Sequence, residues 1–188
     1  MASSNLKIIP GRKYMILIAL TFLITAIDQY TKMIVHSTFD LGESIRIIEG
    51  FFNFTYVRNT GAAFGVLGKS HETFRQAFFL AVPPVAIIII TYFIYTLPET
   101  EKLEIYALSM ISGGALGNYI DRLRFGYVID FLDFHIQEKY SWPVFNLADS
   151  TIVVGVGILI LLTFRKKPES EPDSKQKIRP ISEGKNTA

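Results

Sequence analysis

Hydrophobic residues in this chain occur in four long runs that are separated by shorter polar segments. The runs cover about residues 14–35, 77–97, 105–122 and 148–164. A helix needs roughly 20 predominantly apolar residues to cross the hydrocarbon core of a bilayer, with a range of about 17–25. The pattern therefore predicts an all-α membrane protein with four transmembrane helices.

Basic residues at the two outer ends of this pattern indicate its orientation. Arg12 and Lys13 precede the first run, and the fourth run ends at three basic residues, 165–167. Four spans place both termini on one side, and the positive-inside rule identifies that side as the cytoplasm. We expect residues 1–167 to form one membrane domain. Residues 168–188 contain few apolar side chains, so the sequence predicts a disordered cytoplasmic tail.

The segment between the first two runs, residues 36–72, mixes charged, glycine and aromatic residues. Within it, residues 51–57 are rich in β-forming side chains with partial alternation, which predicts a short strand. Residues 44–48 are its expected partner, across a turn at Glu49-Gly50. Residues 58–65 then form a turn that leads into small side chains and could begin a short surface helix.

The third run has a pattern of small residues followed by polar ones. Gly113 and Gly117 have the small-xxx-small spacing that lets helix backbones approach closely. Asn118 and Arg122 follow one turn apart, so they share one face of the helix end. Residues 123–147 are rich in aromatic side chains and are predicted to be a loop at the membrane interface.

Composition supports a membrane protein and excludes several other classes. The 188 residues are 49% hydrophobic and only 19% charged, whereas average proteins are about 25% charged. A net charge of +2 without a continuous basic stripe disfavours a nucleic-acid partner. Cysteine is absent, which excludes disulfides, thiolate metal sites and a cysteine nucleophile. The three histidines are far apart in sequence, so no metal or other cofactor is predicted.

Two acidic residues beside the apolar runs are candidates for catalysis, because ionisable groups at membrane depth are costly and usually functional. Asp130 lies shortly after the third run and Asp149 begins the fourth, so antiparallel helices would place both at the outer face. When two carboxylates share a site one keeps its proton, so one can act as an acid while the other activates water. This is aspartic peptidase chemistry. The helix dipole favours the ionised form of Asp149. Two further acids are expected to be structural: Asp133, and Asp121 beside Arg122.

Each of these residues also has a structural interpretation. Asn146 and Asp149 have the spacing of a helix N-cap with an acidic residue three positions later, and Asp130 could be an ordinary interfacial acid. Asp28 and Lys32 are four residues apart, which is typical of an ion pair within one helix. From the residues alone, a proton relay in a small transporter or channel subunit and a non-catalytic membrane scaffold also remain open.

The order and spacing of the motifs resemble those of the bacterial lipoprotein signal peptidase family, also called signal peptidase II. The resemblance extends from residue 27 to about residue 164. Its motifs are Asp28-Gln29-x-x-Lys32, Asn59-Thr60-Gly61-Ala62-Ala63-Phe64, Gly113-Gly114-Ala115-Leu116-Gly117-Asn118-x-x-Asp121-Arg122, Val128-Ile129-Asp130-Phe131 and Phe145-Asn146-Leu147-Ala148-Asp149-Ser150. Arg58 and the charged tail are not explained by it.

The resemblance implies a membrane-embedded aspartic endopeptidase that removes the signal peptide of a diacylglyceryl-modified prolipoprotein, cutting just before the lipidated cysteine. It implies four transmembrane helices, a small extracytoplasmic β-cradle and a short surface helix, in the bacterial inner membrane with the site at the outer face. Sensitivity to globomycin-type cyclic peptides is expected, as are membrane lipids as partners, a monomer, and no cofactor. Asp130 and Asp149 take the catalytic positions. Substrate-binding or supporting positions fall on Asn59, Gly61, Phe64, Asn118, Arg122, Asn146, Ala148, Asp28 and Lys32.

Overall fold

The computed structural model of the protein describes residues 11–61, 71–136 and 140–165. Its helices are α1 (Arg12–Thr38), α2 (Glu72–Thr96), α3 (Lys102–Phe125) and α4 (Leu147–Arg165). Its strands are β1 (Ser44–Ile48), β2 (Phe52–Asn59), β3 (Val128–Ile136) and β4 (Tyr140–Ser141). The predicted short surface helix and Phe64 fall within residues 62–70, outside the described residues, as does the tail.

The four helices correspond to the four predicted spans, but they are not equally apolar. Within the described residues, three helices are long and apolar enough to cross a membrane: α1, α4, and α2 over Thr73–Thr96. α3 is not among them, because its sequence is less apolar, and it buries the polar residues Ser109, Ser112, Asn118 and Asp121. It contacts all three other helices, so its polar groups face protein. The all-α membrane fold with a small sheet is thus confirmed in part, and the crossing by α3 stays a prediction.

Glycines allow α3 to pack closely against its neighbours. A Cβ atom on Gly113 would lie 2.8 Å from the Cβ of Ile24 on α1. One residue later along α3, a Cβ atom on Gly114 would contact the carbonyl oxygen of Ala148, the second residue of α4. The hydroxyl of Thr25 donates to the carbonyl of Gly113 at 3.1 Å. The close helix approach predicted from the small residues is confirmed.

The strands form one antiparallel sheet in the order β1-β2-β3-β4. β1 pairs with β2 from Ser44 opposite Thr55 to Ile48 opposite Phe52, so the predicted strand pair is confirmed. The prediction of a loop over residues 123–147 was wrong, because β3 and β4 lie there. β3 becomes a strand through pairing with β2, which is distant in sequence, and local patterns do not report such a partner.

The sheet is attached to the end of the helix bundle through a small apolar core. Tyr56 of β2 and Ile129 and Phe131 of β3 are buried against Val35 near the end of α1. This core places the start of β3 directly after α3 and beside β2. The acidic and amide side chains at that junction are therefore brought together by the sheet as much as by the helices.

Candidate active site

Asp130 lies near the start of β3, close to the end of α3, and is held there by two amide side chains. Val57 and Asn59 of β2 lie opposite Asp130 and Val128 of β3, and Asn59 Nδ2 donates to Asp130 Oδ2 at 2.9 Å. Asn146 Nδ2 donates to Asp130 Oδ1 at 2.6 Å. The side chain is buried, with 1% of its surface exposed. Both carboxyl oxygens are thus bound by neutral donors.

Asp149 lies in the first turn of α4 and is half-buried. Its backbone N–H donates to Asn146 Oδ1 at 2.9 Å, and the backbone N–H of Asn146 donates to Asp149 Oδ2 at 3.2 Å. This reciprocal pair is a capping box, so the N-cap interpretation is confirmed. The second oxygen, Asp149 Oδ1, accepts from Asn118 Nδ2 at 2.7 Å. Capping therefore uses one carboxylate oxygen and leaves the other facing the site.

Asn146 connects the two acids. It is fully buried, and its Nδ2 also lies 3.1 Å from Asn118 Oδ1 and 3.3 Å from the carbonyl of Ile129. The residue before it, Phe145, exchanges backbone hydrogen bonds with Leu132 at 2.8 and 3.1 Å, which ties this segment to β3. The structure thus brings Asp130 and Asp149 together around one asparagine.

The surroundings of Asp130 favour its protonated form. Burial, and after it the negative charge of Asp149, raise the pKa of Asp130 to about 7. Hydrogen bonds from Asn59 and Asn146 lower this pKa, but they do not offset burial. Near neutral pH Asp130 can therefore hold a proton.

Two further predicted residues support the site from its edge. Gly61 has φ +92°, a left-handed conformation that favours glycine, and its backbone N–H donates to Asn59 Oδ1 at 2.8 Å. This contact turns the Asn59 NH₂ group toward Asp130. Arg122 is half-buried, with its guanidinium carbon 5.1 Å from the ring centroid of Phe79. Its charge is close enough to interact with both acids.

A second cluster of charges lies behind the site, inside the bundle. Lys32 Nζ is 2.9 Å from Asp28 Oδ2 and 3.0 Å from Asp121 Oδ2, and all three side chains are at most 1% exposed. Lys32 Nζ also donates to Asn118 Oδ1 at 2.8 Å. The predicted ion pair of Asp28 and Lys32 is confirmed. Asp121 is structural as predicted, but its charge partner is Lys32 rather than the neighbouring Arg122.

This cluster positions the elements that carry the two acids. Asp28 Oδ1 accepts from the backbone N–H of Ala148 at 2.9 Å, and Asp121 Oδ2 accepts from that of Ile129 at 3.0 Å. Each contact lies one residue from Asp149 or Asp130. Gln29, which the sequence did not single out as a site residue, donates to Asp121 Oδ1 at 2.7 Å. Its place in the Asp28-Gln29-x-x-Lys32 motif was the available signal.

Asp133, the other acid predicted to be structural, lies farther along β3. Its Oδ2 accepts from the hydroxyl of Thr55 at 2.6 Å, and its Oδ1 is 3.0 Å from His135 Nε2. These contacts stabilise pairing between β2 and β3, and they involve neither Asp130 nor Asp149. Asp133 is therefore a useful comparison for the two central acids.

A mostly apolar cavity opens beside Asp149. Its volume is about 530 Å³, and its lining consists of Asn59, Trp142, Pro143, Val144, Phe145, Asp149, Ser150, Val153 and Val154. Val153 and Val154 belong to α4 and are 70% and 50% exposed. The cavity thus connects the carboxylate to a helix surface that is apolar and open, so an apolar chain could reach the acids from the side of the bundle.

Comparison with known proteins gives consistent matches over most of the chain. The sequence profile of the family described as signal peptidase (SPase) II matches residues 20–165. The lipoprotein signal peptidase of Syntrophus aciditrophicus (strain SB) is 44% identical over 153 residues, covering 79% of this chain and 94% of the relative. That of Syntrophotalea carbinolica is 42% identical over 153 residues, covering 81% and 93%.

Two solved structures are also similar to this chain in fold and sequence. A bacterial membrane enzyme determined by the in meso method at 1.9 Å resolution is 34% identical, with a TM-score of 0.71, covering 80% of this chain and 94% of that one. A second, at 2.3 Å resolution, is 32% identical with the same TM-score of 0.71, covering 88% and 94%.

Proposed function

We propose a mechanism from one premise: this chain belongs to the signal peptidase II family. It is therefore a protease of a bacterial membrane that acts on the signal peptides of lipoprotein precursors. The finer proposal is that it is an aspartic endopeptidase. Its substrate would be a diacylglyceryl-modified prolipoprotein, cut immediately before the lipidated cysteine. Family membership lends no support to a proton-coupled transporter.

The observation that carries the proposal is the shared hydrogen-bond network of Asp130 and Asp149. Asn146 donates to both acids, through its side chain to Asp130 and through its backbone to Asp149. The raised pKa of Asp130, about 7, supports a protonated Asp130 beside an ionised Asp149. The position of Asp149 at a helix N-terminus also favours its anion.

In this mechanism Asp149 takes a proton from a water molecule, and the resulting hydroxide forms a bond to the scissile carbonyl carbon. Asp130 gives its proton to the carbonyl oxygen at the same time, which yields a neutral tetrahedral diol. The diol then returns a proton to Asp130 as the C–N bond breaks. Asp149 gives its proton to the leaving nitrogen, so both acids regain their starting states.

The cavity beside Asp149 supports a lipid-bearing substrate. Its exposed wall at Val153 and Val154 would let acyl chains remain among lipids while the peptide bond reaches the acids. Arg122 and the amides of Asn59 and Asn118 are suitable donors for the carbonyl groups of an extended peptide. An unpaired polar group in such surroundings costs about 1–3 kcal/mol, so these donors would also hold the peptide in register.

We infer four spans, with both termini in the cytoplasm and the acids at the outer face. The basic residues 12–13 and 165–167 support this orientation. Asp130, Asn146 and Asp149 meet within a single chain, so we also propose a monomer, in which this network needs no second copy to form. Residues 168–188 would then be a cytoplasmic tail. A reporter fused after Ala188 should be found in the cytoplasm, and a periplasmic signal would reverse the inferred orientation.

The test of the mechanism is cleavage of a diacylated lipobox peptide by purified enzyme in detergent. Asp130→Asn and Asp149→Asn should each lower kcat/KM by about 10³-fold, within the usual range for removing an acid or base. Asp133→Asn is the matched control, since it changes a buried acid of the same strand that contacts Thr55 and His135 instead. Its activity should stay within a few-fold of wild type.

The unfolding temperature of each variant should be measured alongside, so that a loss of fold is not counted as a loss of chemistry. A folded Asp130→Asn or Asp149→Asn protein with near wild-type cleavage would contradict the aspartic mechanism. Equal cleavage of the same peptide with and without its diacylglyceryl group would contradict the proposed substrate class.

A further inference from the structure

A row of stacked arginine and aromatic side chains lies at the sheet end of the bundle, separate from the acids. The guanidinium carbon of Arg124 is 5.1 Å from the ring centroid of Phe125. The rings of Phe125 and Tyr127 stack at 5.7 Å with an interplanar angle of 22°. The guanidinium carbon of Arg58 is 4.9 Å from the Tyr127 centroid. These four residues are called the arginine-aromatic row.

One end of the row is anchored to the folded core. Arg58 Nε donates to the hydroxyl of Tyr56 at 3.0 Å, and Tyr56 is only 1% exposed. The same hydroxyl is 2.6 Å from Nδ1 of His36 in the last turn of α1. The Arg58 side chain is thus stacked on one tyrosine and hydrogen-bonded to another, so it loses little further freedom when it binds a ligand.

Both arginines are exposed, and neither is neutralised. Among the described residues, no salt bridge links Arg58 or Arg124 to a carboxylate, whereas Arg46 on the same sheet lies 3.2 Å from Glu49. Guanidinium groups that are stacked and unpaired present a planar fork of donors, which matches the oxygens of a phosphate group. The row therefore has the chemistry of a phosphate site.

The position of the row identifies the source of that phosphate. Arg124 lies in the last turn of α3, and Arg58 is anchored through His36 to the last turn of α1. In the four-span arrangement proposed above, on which this step rests, these helix ends lie at the level of the lipid headgroups, where aromatic side chains are also enriched. That arrangement places the two guanidinium groups among the phosphates of the adjacent leaflet.

We propose that the arginine-aromatic row, which carries one guanidinium group at each end, binds the phosphates of anionic phospholipids in the leaflet on the sheet side of the bundle. The bound lipid would sit beside β2, whose last residue, Asn59, contacts Asp130. The test of this site does not depend on the aspartic mechanism, because the hydrogen bonds of Asp130 and Asp149 come from Asn59, Asn118 and Asn146 and not from the row. The site also explains Arg58, which the family resemblance leaves without a role.

The test is titration of the full-length protein in neutral detergent with phosphatidylglycerol, with bound lipid counted by native mass spectrometry. Arg58→Gln or Arg124→Gln should each weaken binding about fivefold, and both together about 25-fold, from the usual contribution of one basic residue near anionic lipid. Arg46→Gln is the matched control, because it removes an exposed arginine that is already paired. Its lipid binding should stay within twofold of wild type.

Two ligand controls separate the possible sources of the signal. Diacylglycerol with the same chains lacks the phosphate and should bind at least as weakly as phosphatidylglycerol binds the double variant. Inorganic phosphate lacks the chains and should not displace the lipid at equal concentration. Displacement by phosphate would show a free-anion site, and wild-type lipid affinity in the double variant would overturn the proposal.

A conservative pair of variants tests the stacking itself. Arg58→Lys and Arg124→Lys together keep both charges but lose the planar guanidinium groups. Their combined affinity should lie between wild type and the double glutamine variant. Full wild-type affinity would show that charge alone suffices and that the row is not the binding element. Unfolding temperatures close to wild type should accompany each measurement, because both arginines are exposed.

Discussion

Two pairs of carboxylates lie near the same end of this molecule, and their partners differ in charge. Asp28 and Asp121 share the ammonium group of Lys32, at 2.9 and 3.0 Å. Asp130 and Asp149 receive hydrogen bonds from uncharged amides at distances from 2.6 to 3.2 Å. A buried cation compensates buried anions, whereas an amide donor stabilises an anion without neutralising it.

This difference in partners explains how aspartates that lie close together can have different roles. Between Asp28 and Asp121, the positive charge lets the carboxylates act as fixed acceptors for the backbone of Ala148 and Ile129. Asp130 has no such partner in hydrogen-bond contact, so burial keeps a proton on it instead. A carboxylate held by a cation and a backbone N–H acts as a fixed acceptor, and a buried carboxylate held by amides can keep a proton for acid-base chemistry.

The largest effect is expected from removing the cation of the first pair. Lys32→Met would leave Asp28 and Asp121 buried without compensation, and breaking a buried ion pair in this way costs about 3–5 kcal/mol. Unfolding of the purified protein in detergent measures the loss. A triple variant that also carries Asp28→Asn and Asp121→Asn should recover much of it, because no buried charge then remains. Unchanged stability of Lys32→Met would show that the triad is not a structural ion pair.

For the second pair, Asp130 and Asp149, the expected effect is a dependence of cleavage on pH. If the dyad works with one proton on Asp130, kcat/KM falls as that proton is lost through its pKa of about 7. Activity should therefore decrease about tenfold per pH unit above that midpoint. Asn59→Leu removes a hydrogen bond that lowers this pKa, so the midpoint should move to higher pH. A profile that stays flat from neutral to strongly alkaline pH would contradict the shared proton.

The smallest effects are expected from adding one methyl group at either of two glycines of α3, one beside each pair of carboxylates. A Cβ atom on Gly117 would contact the Asp28 carboxylate, whereas one on Gly114 would contact the Ala148 carbonyl and lie 2.8 Å from Thr151 Oγ1. Each alanine variant should lose about 1–3 kcal/mol, the usual cost of overpacking. Gly114→Ala should also reduce cleavage directly, by displacing the start of α4, whereas Gly117→Ala should reach α4 mainly through Asp28, which accepts from the N–H of Ala148. Gly114→Ala should therefore show the lower cleavage per folded molecule, and comparable cleavage in both variants would refute this separation.

Local features of the fold could be predicted because their partners are close in sequence. Asp28 and Lys32 are one helical turn apart, and β1 and β2 are joined by a short turn, so helix periodicity and strand pattern were sufficient. Gly113 and Gly117 similarly indicate a close helix contact without naming the partner. The capping box of Asn146 and Asp149 is local too, and its spacing was visible before the structure.

The features that could not be predicted all depend on distant partners. β3 is a strand because β2 lies beside it, and the sequence of residues 123–147 by itself suggested an aromatic loop. Asp121 was placed beside Arg122 in sequence, but on a helix consecutive residues point in different directions. Asp121 turns toward α1 and Lys32, while Arg122 turns toward Phe79 and the acids. The arginine-aromatic row likewise needs α3, β2 and β3 in contact.

The sequence by itself determined the membrane class, the helices, the strand pair and the identity of the two central acids, since these follow from hydrophobic runs, short-range spacing and ordered motifs. Only the tertiary structure decided which carboxylates meet a cation and which meet amides. That choice depends on the close contacts of α3 with α1 and α4, and on the pairing of β2 with β3. The electrostatic role of an aspartate is set by the charge of its neighbours, and those neighbours come from four separate parts of the chain.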